Sequence, residues 1–233
     1  MPKITGVLVS HHVFDIKKDM ANGSFPKTLF PGATFQMVVD NDVVNNNTLD
    51  WSVVTNAGDN SLTVNQDGVV SFSKDIDESC IGKTFVIFAK DKATGKFVSS
   101  YLIKPHRFFK PRTATSDRFD NALFWIEDKK GTVPARRDIN NVHFDELTGE
   151  MFHDVKREVN SGLFQEWGFL LFSGWTNPVH SDIGSLESEI FTLENDRIFI
   201  STVNSLPYSR DLHDDMDSQP AQAVAFYGES VVF

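Results

Sequence analysis

The chain has 233 residues, 40% hydrophobic and 23% charged, a composition that can bury a core and excludes a disordered polymer. Its apolar runs, such as Phe169-Leu170-Leu171-Phe172, fall far short of the ~20 residues of a membrane-spanning helix, and the single Cys80 excludes an intrachain disulfide and a multi-cysteine zinc cage. The net charge of −10 is uneven, with ten Lys against eleven acids in residues 1–104 and twelve Lys plus Arg against twenty-one acids in 105–233, the wrong balance for tracking nucleic-acid phosphates or anionic membrane.

In chain order, the front half reads as strands. Ile4–Val9 and Thr34–Val39 come first, the second stopping at Asp40-Asn41-Asp42. Asp50–Val54, Ser61–Val64, Val69–Phe72, Phe85–Lys90 and Phe97–Ile103 follow, separated by turn residues around Gly58, Gly68 and Gly95. Short segments rich in β-branched and aromatic residues between Gly/Asn/Asp turns predict an all-β sandwich over 1–104. No segment there keeps a 3.6-residue period.

After Lys104 the pattern changes. Pro105 to Pro111, basic and bracketed by proline, reads as a short stiff joint. Pro134-Ala135-Arg136-Arg137-Asp138 leads into a helix. Leu147, Met151, Val155 and Val159 recur every four residues and predict a helix over Asp145 to Gly162, with Asn160-Ser161-Gly162 ending it. Phe164–Phe172, Ser188–Leu193, Ile198–Val203 and Ala221–Tyr227 read as strands among long loops. Residues 105–233 therefore read as a second, α+β domain.

Two sets of residues carry a resemblance. Asp50-Trp51-Ser52, followed by Val64-Asn65-Gln66-Asp67-Gly68-Val69-Val70-Ser71-Phe72, resembles the bacterial immunoglobulin-like repeat of surface proteins, in which a strand Trp fills the core. Pro134 to Asp138, Val159-Asn160-Ser161-Gly162-Leu163-Phe164-Gln165-Glu166-Trp167-Gly168, Gly174-Trp175-Thr176 and Ala223–Gly228 resemble the C-type-lectin-like domain that ends invasin- and intimin-type adhesins (inverse autotransporters). The order of the two modules is that family's order. The resemblance implies an immunoglobulin-like sandwich over 1–104 and a C-type-lectin-like domain over 105–233. It implies no enzyme and no cofactor, but a monomeric tip that binds a host cell-surface or secreted protein, inserts into no membrane itself, and is held at the bacterial surface by an upstream outer-membrane barrel. Two departures stand beside it. Residues 105–233 contain no Cys where relatives often carry a disulfide, and the integrin-contacting acid of invasin matches no position here.

The candidate contact residues lie in the acidic stretch near the C-terminus. Asp211, His213, Asp214, Asp215 and Asp217 crowd into seven residues, either as a recognition loop or as a solvated one. Tyr208 and Arg210 directly before them are residue types that anchor interfaces, and Trp175 is a further candidate. The stretch lacks the Gly and terminal Glu of a calcium loop, and Thr176-Asn177-Pro178 and Gln219-Pro220-Ala221 lack the paired oxygens of a calcium lectin, so neither metal nor calcium-bound sugar is expected. Glu150-Met151-Phe152-His153 is a lone Glu-x-x-His, where a di-iron site needs two. His11-His12, adjacent on a strand, would face opposite ways. Cys80 reads as a buried, inert thiol and Trp167 as core. No nucleophile elbow, phosphate loop or dinucleotide fingerprint occurs. The rival reading is a carbohydrate-binding or glycan-acting protein with an appended sandwich.

Overall fold

The computed structural model describes residues 2–21, 23–55, 61–112, 118–140, 157–168, 170, 190–194, 197–201, 208–210 and 223–230. The front half forms β1 (Ile4–Val9), β2 (His12–Asp15), β3 (Thr28–Leu29), β4 (Thr34–Val39), β5 (Leu49–Thr55), β6 (Leu62–Val64), β7 (Val69–Phe72), β8 (Phe85–Asp91) and β9 (Phe97–Ile103). Short 3-10 turns at Val43–Thr48 and Glu78–Cys80 interrupt them. A five-stranded sheet in the order β2-β1-β4-β7-β6 and a three-stranded sheet β5-β8-β9, both antiparallel, supply side chains to one core.

Alternation explains the packing. Val7 and Val9, Phe35 and Met37, and Val70 and Phe72 point inward from the first sheet; Leu49 and Trp51, Phe85 and Ile87, and Tyr101 and Ile103 point inward from the second. The indole N–H of Trp51 donates to the Asn46 carbonyl at 3.1 Å, and the Asn46 amide donates to the carbonyls of Met37 and Asp67. That polar peg ties the Trp to the turn before β7, where Gly68 has φ +70° and a Cβ would stand 2.8 Å from the Asn46 amide nitrogen.

The back half holds β10 (Arg107–Pro111), α1 (Phe119–Asp128), α2 (Arg136–Ile139), α3 (Leu163–Trp167), β11 (Ile190–Glu194), β12 (Arg197–Ser201), β13 (Tyr208–Arg210) and β14 (Val224–Gly228). Strands β11, β12 and β13 form an antiparallel sheet in that order. The expected joint is not a linker. Residues 107–111 are the central strand of the sheet β14-β10-β3, antiparallel to β14 and parallel to β3 of the front half. Phe108 and Phe109 are fully buried there, which a solvated spacer would not allow.

Three other expectations change. The apolar run from Phe164 is helix α3 through Trp167, because Gly162 precedes it in extended conformation and all five helical side chains are buried. A run without period fits a buried helix as well as a buried strand. Of the helix expected over 145–162, residues 145–156 lie outside the described residues; Asn160 (φ 64°) sits in a turn. His11 belongs to the β1–β2 turn with Ser10, both at positive φ, and only His12 lies on a strand. Helix α1 and strands β2, β3 and β13 answer to no sequence expectation.

Candidate functional site

Two of the sequence-predicted contact residues fall among the described residues. Tyr208 and Arg210 lie on β13, the edge strand of its sheet, opposite Ile200 and Ile198 of β12. The acidic stretch begins at the residue after β13. Asp211, His213, Asp214, Asp215, Asp217 and Trp175 lie outside the described residues.

The densest chemistry among the described residues is a buried polar cluster that joins the two halves. Glu166 on α3 has no exposed surface. Its carboxylate accepts from the backbone N–H of Lys27 (3.0 Å to each oxygen), of Thr28 (2.7 Å) and of Asn160 (2.8 Å), and from the Thr28 hydroxyl (2.5 Å). The neighbouring Trp167 donates its indole N–H to the Thr28 carbonyl and hydroxyl, each at 3.0 Å. One two-residue strand, β3, is therefore clamped by two consecutive residues about 140 positions further along the chain, the long-range bonds spanning 138 to 139 positions.

Two arginines complete the cluster. Arg107, 4% exposed, reaches the Asn160 side-chain oxygen at 3.1 Å. Arg157 donates to the carbonyls of Gln165, Glu166 and Val9, and its guanidinium lies 5.4 Å from the Phe14 ring centroid, within reach of a cation–π contact. Burial holds the Glu166 carboxyl above the usual carboxylate range, against the pull of the Thr28 and Asn160 donors and of Arg107. Burial also brings Arg157 down to about 10. Around the cluster Trp167 contacts Phe25, Phe30 and Phe35 at centroid distances of 4.8, 4.9 and 6.4 Å.

This arrangement ties the front and back halves together through buried hydrogen bonds. A crevice of about 190 Å³ beside Arg157 is lined by Lys18, Asp19, Ala21, Gly23, Arg157, Glu158 and Val159. Among the described residues no group of three or more His, Cys, Asp or Glu side chains could hold a metal ion. The Cys80 thiol is buried and pushed up to about 12, first by desolvation and then by Asp77, so it is a poor nucleophile. Sequence reasoning missed the Glu166 cluster, although a lone carboxylate inside an apolar run is a signal: a buried charge must find partners.

The described residues thus form a β-rich chain whose two halves are joined through a buried polar seam. Residues 5–102 match the family model for invasin, domain 4. The chain belongs to the invasin- and intimin-type bacterial adhesins. Invasin of Yersinia enterocolitica is 36% identical over 171 residues, which is 73% of this chain and 18% of that protein. The chain thus spans less than a fifth of that relative's length. The crystal structure of invasin, a bacterial integrin-binding protein, superposes with a TM-score of 0.70 at 20% identity, covering 98% of this chain and 40% of that one. Intimin-190 from enteropathogenic E. coli is a more distant likeness, with a TM-score of 0.47 at 12% identity over 97% of this chain and all of that one.

Proposed function

We propose that this chain is the receptor-contacting part of a bacterial surface adhesin. Residues 1–104 act as an immunoglobulin-like spacer, and residues 105–233, folded as a C-type-lectin-like domain, touch a host protein without chemistry. An upstream outer-membrane barrel would hold both at the cell surface; no helix among the described residues is long and apolar enough to cross a membrane.

The observation that carries this reading is the extent of the likeness to invasin. A 171-residue match at 36% identity is longer than either half alone, so it takes in parts of both modules. Shared sequence across the joint favours a shared use of the two modules as one unit.

The acidic segment Asp211 to Asp217 is the proposed contact, because it follows strand β13 directly in sequence and carries four carboxylates and His213 in seven residues. Loops on a rigid scaffold are where recognition concentrates, and carboxylates select a basic partner surface. The test is surface plasmon resonance against integrin-bearing and other host-cell surface proteins. Once a binder is found, replacing Asp214, Asp215 and Asp217 together by Ala should weaken it about tenfold or more and flatten its salt dependence, with the melting temperature unchanged. Equal affinity for wild type and variant at low and high salt would remove the segment from the contact.

A further inference from the structure

Away from the seam, one sheet face carries exposed apolar side chains among the described residues. The outer face of β5-β8-β9 reads in cross-strand rows: Val54, Val86 and Leu102; then Ser52, Phe88 and Ser100; then Asp50, Lys90 and Phe97. Val54 is 53% exposed, Leu102 52% and Phe97 57%. The Phe88 and Phe97 rings, 6.4 Å apart, connect the rows. Single exposed hydrophobics are ordinary, but several on one contiguous face mark a contact surface.

Lysines frame this face. Lys90 stands on it opposite Asp50, Lys96 lies in the hairpin at one end, and Lys104 continues the outward parity two residues beyond Leu102; all three are exposed. Between Asp91 and Asp117 the sequence has no acid at all. An apolar strip with a cationic rim fits an anionic surface that presents an apolar side chain.

Helix α1 presents that chemistry. It buries Phe119, Ala122 and Ile126 and turns Phe124 outward at 79% exposure, the most exposed large hydrophobic among the described residues. Asp120, Glu127 and Asp128 are exposed beside it; Asp128 already bonds Lys129 at 2.7 Å. Residues 105–233 as a whole are the acidic half of the chain.

We propose that these two surfaces bind each other between copies of the chain. Helix α1 of one copy lies across the β5-β8-β9 face of the next, seating Phe124 among Phe88, Phe97 and Leu102, with Asp120 and Glu127 turned toward the lysine rim. The dimensions agree: ten helical residues span about 15 Å, and the three apolar rows span about 13 Å, or about 20 Å out to Lys104. Helix on sheet is also a standard way to cover an apolar sheet face. Because the two patches differ, a pair of copies keeps one of each free, and the contact propagates head to tail. One helix on one sheet face is a small interface, so the association is weak in dilute solution and forms where copies are crowded, as on a cell surface. This departs from the monomer expected from the sequence.

Sedimentation velocity on the 233-residue chain tests it. The mean mass should rise with concentration up to about 1 mM, a range reached by tethered neighbours. The rise should weaken between about 0.01 M and 0.15 M salt, as the Debye length shortens from about 30 Å to about 8 Å. Leu102→Asp spoils only the sheet face and Phe124→Asp only the helix; each variant alone should be monomeric. Their equimolar mixture should form a dimer that grows no further, because one good copy of each patch remains. The charge swap Lys104→Glu with Glu127→Lys supplies a second pair to mix should either aspartate variant melt below wild type. Wild type that stays monomeric throughout, association that salt does not weaken, or mixtures that stay monomeric would each overturn the proposal.

Discussion

Glu166 bonds the two halves together, and its energetics follow from what surrounds it. A carboxylate that takes three backbone N–H groups and a hydroxyl, with Arg107 and Arg157 buried nearby, is a charge whose removal strands every partner. Breaking a buried, paired charge from one side costs about 3–5 kcal/mol, well above the ~1 kcal/mol of an ordinary hydrogen bond. Glu166→Ala should therefore lower the urea-unfolding free energy by about 3 kcal/mol or more. Thr28→Val, which removes one hydroxyl and leaves the carboxylate its N–H partners, should cost less. A loss below about 1 kcal/mol for Glu166→Ala would show the cluster to be peripheral to stability. At this scale the sequence reads well where a side chain's own chemistry fixes its place: Trp51, Trp167 and Cys80 are buried as expected. It reads poorly where the meaning lies in a partner 138 positions away, as for Glu166 and Thr28.

Elements were legible in proportion to their periodicity. The strands of the front half alternate, and their turns carry Gly, Asn and Asp, so most appear within a residue or two of their expected bounds. Helix α3 and strand β10 were misread because a fully buried segment loses the polar face that sets a period. Helix α1 was missed for a related reason: its outward face carries Phe124, which blurs the contrast between its two sides. Its C-terminus also hides its signal. Lys130 N–H donates to the Glu127 carbonyl and Gly131 N–H to Ile126, the bond pair of a Schellman close, yet the residue in the left-handed conformation is Lys130 at φ 57°. Gly131, one position later, serves packing instead, since a Cβ there would stand 2.7 Å from the Ala225 Cβ. A side chain in the left-handed region costs about 1–2 kcal/mol relative to Gly, and part of that gain is offset by the looser unfolded chain. Lys130→Gly should thus stabilise by about 0.5–1 kcal/mol, raising the melting temperature by about 1–4 °C for a chain of this size. A lower melting temperature would mean that Lys130 makes a favourable contact that outweighs its strain.

For the whole molecule, the question is whether the chain behaves as two beads or one body. Composition and turn grammar separate the halves at residue 104, but the buried hydrophobic cluster crosses that point without a break: Phe25, Phe30 and Phe35 meet Trp167, while Leu163, Phe164 and Phe226 share the core of Val7 and Ile87. Strand β3 belongs to the front half by sequence and to the β10 sheet by hydrogen bonds. Independent beads would lose orientation at the joint; here a shared core of buried side chains, rather than a linker, connects the two halves. Unfolding should then be one cooperative event for most of the chain. Amides of β8 and of β10 should exchange with deuterium through openings of equal free energy, and calorimetry should give a single transition whose van't Hoff and calorimetric enthalpies agree. Trp167→Ala, at about 3–5 kcal/mol, should lower both sets of amides together. Exchange that slows in β8 while β10 opens freely would instead place a true domain boundary at residue 104 and leave the seam as a contact between separately stable modules.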